Sequence, residues 1–273
     1  MVTKCILPVA GFGTRFLPVT KAVPKELLPI LDKPLVHYSI DEVMSANIFN
    51  TIFITNKYKS SIKDYFSRHD YLEDLIRGST KESKLLELNK IINTFDMSFI
   101  DQTSMLGLGH AILQAEDLIE EDLFAVILPD DVCYNDGDSV LSQMLKISNK
   151  HQDKCIIAVE EVNNNLIDRY GIVDGTYTDN SKTTLLVQNM VEKPQVGSTK
   201  SNLAIIGRYI LTQEIFKILK TTPPDNRGEI QITDALLKMA EKGKVIAYKF
   251  EGTRIDCGSV NGYLFANNFF SRL

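Results

Sequence analysis

The stretch LPVAGFGTRFLPVTKAVPKELLP, from Leu7 to Pro29, opens with an apolar run and continues into two glycines, one arginine and two lysines. Glycines and cations directly after an apolar strand are typical of a phosphate-binding loop, because glycine lets backbone N–H groups approach an anion. The dinucleotide-binding fingerprint is excluded, since the position of its third glycine holds Phe16. The P-loop is excluded because no Gly-Lys-Ser or Gly-Lys-Thr triplet follows Gly11. The stretch therefore has the character of a phosphate loop but fits neither common pattern.

The composition of the 273 residues is that of an ordinary globular protein, with 44% hydrophobic and 24% charged residues. A formal net charge of −5 argues against broad binding to nucleic acid or to a membrane surface, so a phosphate site must be a local basic cluster. The cysteines lie far apart without zinc-type spacing, and we expect reduced thiols at Cys5, Cys133, Cys155 and Cys257. No apolar run is long enough for a membrane span, and proline and glycines interrupt any signal-peptide core, which predicts a cytoplasmic protein.

Short β-rich runs alternate with helical patterns in the first half of the chain. Strands are predicted over 5–10, 51–55, 97–101 and 124–129, and helices over 34–47, 83–95 and 109–121. Apolar strands separated by helices predict a Rossmann-like α/β fold, with a mixed, mainly parallel sheet and helices on both faces. Ligands bind beyond the carboxyl ends of such strands, so the loop after Val9 and the Pro-Asp-Asp after Leu128 are expected to meet in one cleft.

Beyond about Lys150 the pattern changes to strands with fewer helices between them. The predicted strands cover 155–162, 170–175, 185–194, 202–211 and 245–250, and 174–184 is predicted to be an exposed turn. No linker or charge block separates the two halves. We therefore expect antiparallel strands that join the same sheet, and a single domain over 1–273.

Several separated blocks of this sequence resemble one enzyme family. The segment 11–29 is similar to the signature of the sugar-1-phosphate nucleotidylyltransferases, and its PKELLP ending together with LGLGHAI (106–112) resembles the bacterial UTP–glucose-1-phosphate uridylyltransferases. Further blocks match in order along nearly the whole chain: ILPDD, RYGIV, VEKP, SNLAIIGRYI, GEIQITDA and DCG. The resemblance implies a nucleotide-binding half (1–150), a sugar-phosphate-binding half (151–258), a C-terminal helix (259–273) and synthesis of UDP-glucose and pyrophosphate from UTP and glucose 1-phosphate.

Two cations of the first loop are candidate phosphate ligands. Arg15 can hold phosphate oxygens in a bidentate fork, and Lys25 supplies a mobile point charge; the alternative is a surface loop with solvated cations. The resemblance implies that Arg15 contacts the leaving pyrophosphate and that Lys25 contacts the phosphates nearer the sugar. Lys21 is expected to be a solvated neighbour, and Glu26 to orient Lys25. The predicted nucleotide-binding backbone consists of Ala10, Gly11 and Gly13.

Paired carboxylates follow the buried strand in ILPDD. Magnesium prefers oxygen ligands and one or two carboxylates, which favours Asp130 as a metal ligand over a turn cap. For Asp131, a metal ligand and a turn cap are about equally favoured, and a place in the sugar site or an orienting role is equally open. Asp256 in RIDCG would alone be a turn residue, and the resemblance implies that it is the second Mg²⁺ ligand. We expect Asp130 and Asp256 to meet because the strand ends of a parallel sheet open on the same cleft.

The sugar-binding candidates lie in the second half. In VEKP, Glu192 and Lys193 would point to opposite sides of an extended chain, so that Glu192 accepts hydrogen bonds from sugar hydroxyls while Lys193 reaches the sugar phosphate. A neutralised surface pair is the alternative, and only the resemblance favours the sugar site. Gly171 suits close backbone approach to a sugar ring, and Asn202 offers both a donor and an acceptor.

The segment DQTSMLGLGHA holds the candidates for the base. The Gln102 amide and the Gly107 backbone can match the O4/N3 edge of uracil, although a glutamine in a loop is commonly just solvated. His110 is expected to be a cap or packing residue and not an acid–base catalyst. The attacking phosphate has a second pKa of about 6 and needs no base, so Mg²⁺, Arg15, Lys25 and Lys193 are expected to align and neutralise two polyanions.

Three points stay open at this level. A thymidylyltransferase of the same fold is the nearest alternative, although that family usually has Lys-Gln where this chain has Lys25-Glu26, and a non-catalytic nucleotide-sugar sensor is a second. The helix near the C-terminus is predicted to carry Leu264, Phe265, Phe269 and Phe270 on one face. That face would pack on the chain's own sheet or form part of a homo-oligomer (dimer or tetramer) interface.

Overall fold

The computed structural model describes residues 1–273. Thirteen strands follow along the chain: β1 (Lys4–Pro8), β2 (Pro29–Ile30), β3 (Lys33–Pro34), β4 (Asn50–Thr55), β5 (Asp96–Asp101), β6 (Leu123–Ile127), β7 (Asp131–Tyr134), β8 (Cys155–Glu161), β9 (Gly171–Tyr177), β10 (Thr184–Glu192), β11 (Leu203–Thr212), β12 (Val245–Lys249) and β13 (Thr253–Asp256). The α-helices are α1 (Leu35–Ser45), α2 (Ser60–Tyr65), α3 (Asp70–Ile76), α4 (Glu82–Thr94), α5 (Gly107–Leu113), α6 (Val140–Ser148), α7 (Glu214–Leu219), α8 (Ile232–Ala240) and α9 (Val260–Phe270). None of these helices has the length and apolar character that crossing a bilayer would require.

Nine strands form one central sheet in the order β5-β4-β1-β6-β11-β8-β12-β10-β9. The first four of these strands are mutually parallel, and β12 is parallel to β8. All other pairings in the sheet are antiparallel: β11 with β6, β8 and β9, and β10 with β12 and β9. The prediction of a mainly parallel sheet is therefore wrong, because most pairings are antiparallel. The prediction that antiparallel strands of the second half join the same sheet is confirmed.

The predicted elements match the structure best where an apolar strand is followed by a long amphipathic helix. The strands near 5–10, 51–55, 97–101 and 124–129 correspond to β1, β4, β5 and β6, and the helices near 34–47 and 83–95 to α1 and α4. The helix predicted over 109–121 is too long, since α5 ends at Leu113 and the buried Ala115 and Ile119 lead the chain into β6. The turn predicted over 174–184 is shorter, because β9 continues to Tyr177 and β10 begins at Thr184.

Alternate residues of the central strands face opposite layers of helices, as the two-residue period of a strand requires. In β1, Ile6 packs in a cluster with residues of α5, α7 and α8, whereas Cys5 and Leu7 pack in a second cluster with residues of α1, α4 and α6. Fully burying a side chain of this size stabilises the fold by roughly 1.5–3 kcal/mol. Helices on both faces are confirmed, and all four cysteines are free, with Cys133 alone partly exposed.

A separate antiparallel ribbon of β7 and β13 stands beside the central sheet and places Asp131 opposite Asp256. Helix α9 follows this ribbon and packs Phe269 and Phe270 against Tyr134, with ring centroids 5.5 and 6.0 Å apart. The outer side of α9 exposes large apolar side chains, at Leu264 and Phe265. The prediction of one apolar face is wrong. Leu264 and Phe269 are five positions apart, as are Phe265 and Phe270, and residues at this spacing are separated by about 140° around an α-helix.

Candidate active site

One open cleft of about 510 Å³ lies beyond the carboxyl ends of β1, β5 and β6. Its walls combine the loop after β1, the segment after β5 and the turn after β6, which is the arrangement expected for a ligand site in an α/β sheet. The structure brings eight of the candidate residues together along this cleft: Ala10, Gly11, Gly13, Arg15, Lys25, Gln102, Gly107 and Asp130.

The shape of the first loop depends on Gly13. Its φ of +63° lies in the left-handed region, and a Cβ at this position would meet the Lys25 Cβ at 2.9 Å. The aliphatic stem of Lys25 therefore lies directly on the backbone of the glycine. The Thr20 hydroxyl donates to the Gly13 carbonyl at 2.9 Å and closes the loop. The two basic residues of the cleft are thus carried by a loop whose fold requires a glycine.

The base of the loop is tied to the start of α2. Lys59 donates to the Val9 carbonyl at 2.7 Å and to the Glu26 carboxylate at 2.6 Å, and both side chains of this pair are buried. Burial raises the pKa of Glu26 in spite of Lys59, and burial lowers the pKa of Lys59 in spite of Glu26. The expectation that Glu26 orients Lys25 is wrong, because its carboxylate bonds to Lys59.

Lys25 forms an ion pair with the candidate metal ligand Asp130, with Nζ 2.5 Å from Oδ2. Burial opposes the charge on both groups. Their mutual attraction outweighs burial, so the pKa of Asp130 lies below its usual range and the pKa of Lys25 lies above its own. Both groups are therefore charged at neutral pH, and the carboxylate is held at the floor of the cleft.

Asp256 and Arg15 converge with Asp130 on Gly258. A Cβ at Gly258 would lie 3.0 Å from Asp256 Oδ1, 3.2 Å from Asp130 Oδ2 and 3.4 Å from Arg15 Nη1. The two predicted metal ligands therefore do meet, although by another route than expected. Asp256 arrives on β13 of the ribbon and not at the end of a strand in the parallel sheet.

The donor set at this point fits Mg²⁺. Two carboxylates converge where a glycine leaves space, and magnesium commonly takes one or two carboxylates and completes its shell with phosphate and water oxygens. No group of three or more His, Cys, Asp or Glu side chains is arranged to hold a metal. The structure thus supplies two carboxylates, and the remaining ligands of a bound ion would come from the substrate and from water.

Asp131 points away from the cleft into an arginine network. Its Oδ1 accepts from Arg254 Nε at 2.8 Å, and its Oδ2 accepts from the Gly207 N–H at 2.9 Å. Arg254 also donates to Glu160 at 2.8 Å and to the Tyr170 hydroxyl at 3.3 Å. Of the roles left open for Asp131, this geometry favours orientation and does not support the predicted contact with the sugar.

A second buried arginine holds the turn that carries Asp130. Arg208 forms a bidentate pair with Glu42 at 2.8–3.1 Å, and its remaining N–H groups donate to the carbonyls of Leu128 at 3.2 Å and Asp131 at 2.7 Å. These two carbonyls flank Asp130 along the chain. The backbone around the carboxylate is therefore fixed by contacts that involve neither substrate nor metal.

The candidate sugar residues Gly171, Glu192 and Lys193 lie together in the second half. A Cβ at Gly171 would come within 3.2 Å of Glu192 Oε2, and that oxygen accepts from the Thr233 hydroxyl at 2.7 Å. Lys193 has a φ of +46° and its Nζ lies 2.9 Å from Glu192 Oε1. The expectation that the two side chains point to opposite sides is wrong, since the backbone leaves the extended conformation at Lys193.

Asn202 lies apart from this group. Its amide donates to the Val162 carbonyl at 2.9 Å, and the residue lines a different surface hollow together with Glu161 and Asp174. Asn202 directly precedes β11, whereas the residue of β11 that lies next to Gly171 is Ile205, three positions further along. The structure therefore does not place Asn202 where it would share a ligand with Gly171 and Glu192.

Gln102 and Gly107 form the end of the cleft beyond β5. The Gln102 amide nitrogen lies 3.2 Å from the Gly107 carbonyl and 2.9 Å from His110 Nδ1. His110 sits inside α5, and burial lowers its pKa. It is not a helix cap, since it lies in the middle of α5. Its ring instead bonds to Gln102, which lines the cleft.

Comparison with known proteins places this arrangement in a family. The Nucleotidyl transferase family model matches residues 4–272. A UTP–glucose-1-phosphate uridylyltransferase of Pseudomonas aeruginosa is 48% identical, covering 98% of this chain and 96% of the relative. A UDP-glucose pyrophosphorylase solved in complex with UDP-glucose superposes with a TM-score of 0.91 at 44% identity, covering 100% and 99% of the two chains. A UTP-bound UGPase from Acinetobacter baumannii gives 0.90 at 40% identity, covering 99% and 93%.

The chain belongs to the nucleotidyl transferase family and, within it, to the bacterial UTP–glucose-1-phosphate uridylyltransferases.

In this member of the uridylyltransferase family, several residues that shape the cleft were given no role by the sequence analysis, although some lie inside the quoted motifs. Lys59, Glu42, Arg208, Arg254 and Thr233 each act through a partner far away in the sequence, for example Arg208 with Glu42. The available signal was weak but present: an arginine or glutamate inside an otherwise apolar run, such as Arg208 in LAIIGRYIL, requires a buried partner. The identity of that partner could come only from the fold.

Proposed function

We propose that this chain transfers the uridylyl group of UTP to glucose 1-phosphate and releases pyrophosphate. The observation that carries the proposal is the convergence of Arg15, Lys25, Asp130 and Asp256 at one end of a cleft whose other end is built from Gln102 and Gly107. Cations and carboxylates suit a metal-bound triphosphate, and a buried amide suits a nucleobase. The uridylyltransferase relatives support the same choice of nucleotide.

In the proposed reaction, an oxygen of the phosphate of glucose 1-phosphate attacks the α-phosphorus of UTP. The bond from that phosphorus to the oxygen bridging to the β-phosphate breaks, and pyrophosphate leaves with the electron pair. The attacking phosphate has a second pKa of about 6 and is mostly dianionic at neutral pH, so no general base is required. Catalysis then depends on aligning two polyanions and offsetting their charge.

The basic residues of the cleft have distinct tasks in this proposal. Lys25 lies against Asp130 at the floor and holds the α-phosphate end of the triphosphate, whereas Arg15, beside Gly258, holds the leaving pyrophosphate. Backbone N–H groups at Gly11 and Gly13 add uncharged donors. Because Lys25 already has a carboxylate partner, the site binds the triphosphate without an isolated buried cation.

Asp130 and Asp256 would hold Mg²⁺ at Gly258. A bound Mg²⁺ would offset the charge of the triphosphate and so favour attack by a second anion. The oxygens that converge there are Asp130 Oδ2, which bonds to Lys25, and Asp256 Oδ1, which accepts from the Gly258 N–H at 2.9 Å. The two carboxylates are thus oriented before the ion arrives.

The sugar of glucose 1-phosphate would lie against Gly171 and Glu192. Glu192 would accept hydrogen bonds from sugar hydroxyls while Thr233 keeps donating to Oε2. Lys193 pairs with Oε1 of the same carboxylate, and a sugar hydroxyl that takes over this oxygen would free the ammonium group for the sugar phosphate. Binding of the sugar would thereby bring a third cation, Lys193, to the attacking phosphate.

A homo-oligomer, either dimer or tetramer, is part of the proposal. Leu264 and Phe265 are 54% and 56% exposed on α9, and the half-exposed Leu31 lies nearby, with its N–H bonded to Asn267 at 3.1 Å. Exposed large apolar side chains gathered on one surface are typical of an association site. A second copy of the chain is the occupant that we propose.

The deciding experiment measures pyrophosphate release with glucose 1-phosphate and each of the four common nucleoside triphosphates. We expect turnover to be highest with UTP, with UDP-glucose as the second product. Lys25→Met should abolish most of it, whereas the matched change Lys21→Met removes an exposed lysine of the same loop and should leave turnover near normal. Equal rates with all four triphosphates, or no pyrophosphate with UTP, would contradict the proposal.

A further inference from the structure

The side chain of Gln102 is held in a fixed position at one end of the cleft, and only the orientation of its amide group can vary. The residue is 5% exposed, and its backbone N–H is fixed to the Thr55 carbonyl at 2.8 Å. The remaining choice is which end of the planar amide, the NH₂ or the oxygen, faces the ligand. A half-turn of the amide exchanges a donor for an acceptor without moving any other atom.

Two neighbouring groups decide this orientation. One end of the amide lies 3.2 Å from the Gly107 carbonyl and 2.9 Å from His110 Nδ1. The carbonyl can only accept, so the end that faces it must be the NH₂ group. The proton of the neutral imidazole is then on Nε2, and Nδ1 is the second acceptor. The lowered pKa of His110, caused by burial, is consistent with a neutral ring.

A longer and weaker contact, between Gln114 and His110, favours the opposite tautomer of the imidazole. The amide nitrogen of Gln114 lies 3.4 Å from His110 Nε2 and would prefer an unprotonated nitrogen there. Gln114 is partly exposed and also donates to the His110 carbonyl at 3.2 Å. It can give up the longer contact at little cost, whereas the Gly107 carbonyl belongs to the backbone of α5 and cannot turn.

Because both N–H bonds of the Gln102 amide are directed at protein acceptors, the Gln102 oxygen faces the cleft. No protein group donates to this oxygen in the structure. An acceptor at this point matches the N3–H of uracil or thymine and opposes the unprotonated N3 of cytosine. An NH₂ group at the same point would reverse that preference.

We propose that His110 is a positioning residue that, together with the Gly107 carbonyl, orients the Gln102 amide and so makes the cleft select pyrimidine triphosphates with an N3–H group. This inference rests on the proposed function, since it assumes that the base lies at this end of the cleft. It assigns the choice between uridine and cytidine to a residue that does not touch the nucleotide. It also predicts that uridine and thymidine are not distinguished here, because their N3–H edges are the same.

The test compares kcat/KM for UTP, CTP and dTTP in His110→Phe and in the unaltered protein. Phenylalanine keeps the ring and its packing but removes the shorter of the two acceptor contacts, 2.9 Å against 3.2 Å to the Gly107 carbonyl. The NH₂ group is then held less firmly toward the protein, and the UTP/CTP preference should fall about tenfold, as expected for the loss of one buried hydrogen bond. The UTP/dTTP ratio should stay constant. Gln114→Ala is the matched control: it removes the other neighbour of the ring and should keep the UTP/CTP ratio.

Each outcome decides the matter. A reduced UTP/CTP ratio in His110→Phe with an unchanged UTP/dTTP ratio supports the proposal, while an equal loss of UTP and CTP turnover shows a merely structural role and overturns it. If His110→Phe does not fold, His110→Asn, which retains an acceptor, should keep more of the ratio than His110→Ala, and equal ratios in these two variants would overturn the proposal. Absence of pyrophosphate release with UTP in the unaltered protein would instead remove the proposed function itself.

Discussion

Adding one methyl group at Gly258 tests the central part of the site without deleting any charge. The Cβ of Gly258→Ala would lie 3.0 Å from Asp256 Oδ1, 3.2 Å from Asp130 Oδ2 and 3.4 Å from Arg15 Nη1. Nonbonded heavy atoms are comfortable at about 3.5–4.0 Å, so the two carboxylates must move by a few tenths of an ångström, whereas Arg15 is already close to an ordinary contact distance. The backbone of Gly258 does not have a positive φ, so the substitution introduces no conformational strain of its own.

The size of the effect follows from this displacement. A misplacement of reacting groups by about 1 Å costs roughly a hundredfold in rate. Smaller shifts at the two carboxylates together should lower kcat by about tenfold to a hundredfold, which corresponds to ~1.4–2.7 kcal/mol of transition-state stabilisation. The change in unfolding free energy should be small, because the added methyl faces the open cleft and not the core.

The assay is pyrophosphate release at saturating UTP and glucose 1-phosphate over a series of Mg²⁺ concentrations. The control is Gly137→Ala in an exposed turn, where the nearest atom to the new Cβ lies at an ordinary 3.5 Å. We expect normal turnover in Gly137→Ala and a loss in Gly258→Ala, together with a higher Mg²⁺ requirement. Equal turnover in the two variants would show that Asp130, Asp256 and Arg15 do not act together at Gly258.

Three further predictions follow from the same geometry. Asp130→Asn and Asp256→Asn should each lower kcat by two orders of magnitude or more, roughly 3 kcal/mol, with the larger loss for Asp130, and EDTA should abolish activity; full activity in EDTA would remove the metal role. Gln102→Ala should raise the KM for UTP and reduce the UTP/CTP preference, at a cost of about 1–3 kcal/mol for the unmatched edge, and an unchanged ratio in steady-state kinetics would refute the assignment of the base. Leu264→Asp/Phe265→Asp should yield monomers by light scattering with near-normal melting temperature, and assembly identical to that of the unaltered chain would exclude this surface as the interface.

The first half of the fold could be read from the sequence because its strands are buried on both faces. Runs such as CILPVA and FAVILP leave no polar face, which is the mark of a sheet covered by helices on both sides. Strand direction is not encoded in such a run. Whether β11 lies parallel or antiparallel to β6 depends on its connections to the rest of the sheet, and the register Arg208 to Ile127 is visible only in the structure.

Local backbone rules failed at Lys193. The VEKP motif predicts side chains on opposite sides because neighbouring residues of an extended strand alternate, and a residue before proline also prefers the extended conformation. The observed φ of +46° is uncommon for any residue other than glycine and costs of order 1–3 kcal/mol. Its N–H donates to the Tyr170 carbonyl at 2.9 Å, and its ammonium pairs with Glu192. These tertiary contacts hold a conformation that no local pattern indicates.

The meeting of Asp130 and Asp256 shows how the proximity of two residues can be predicted correctly for an incorrect reason. Motif resemblance identified both residues, and the supposed parallel strand ends supplied the argument for their proximity. In the structure, the β7–β13 ribbon brings them together, with Asp131 opposite Asp256 and the Cys257 N–H bonded to the Asp130 carbonyl at 2.7 Å. A ribbon of four-residue strands separated by more than a hundred residues leaves no periodic signal.

The two buried arginines, Arg208 and Arg254, hold the backbone at Asp130 without binding its carboxylate. Arg208 binds the carbonyls on either side of Asp130, and Arg254 binds the side chain of the next residue, Asp131. The backbone is therefore held from both sides, while the Asp130 side chain is paired with Lys25. Burying such charges is costly, and pairs of this kind often add little net stability. In the proposed reaction their position would serve another purpose. They fix the turn, so that Asp130 would bind Mg²⁺ beside a triphosphate without rearrangement of its backbone. Preorganisation of this kind lowers the barrier, because the reorganisation is completed during folding and not during the reaction.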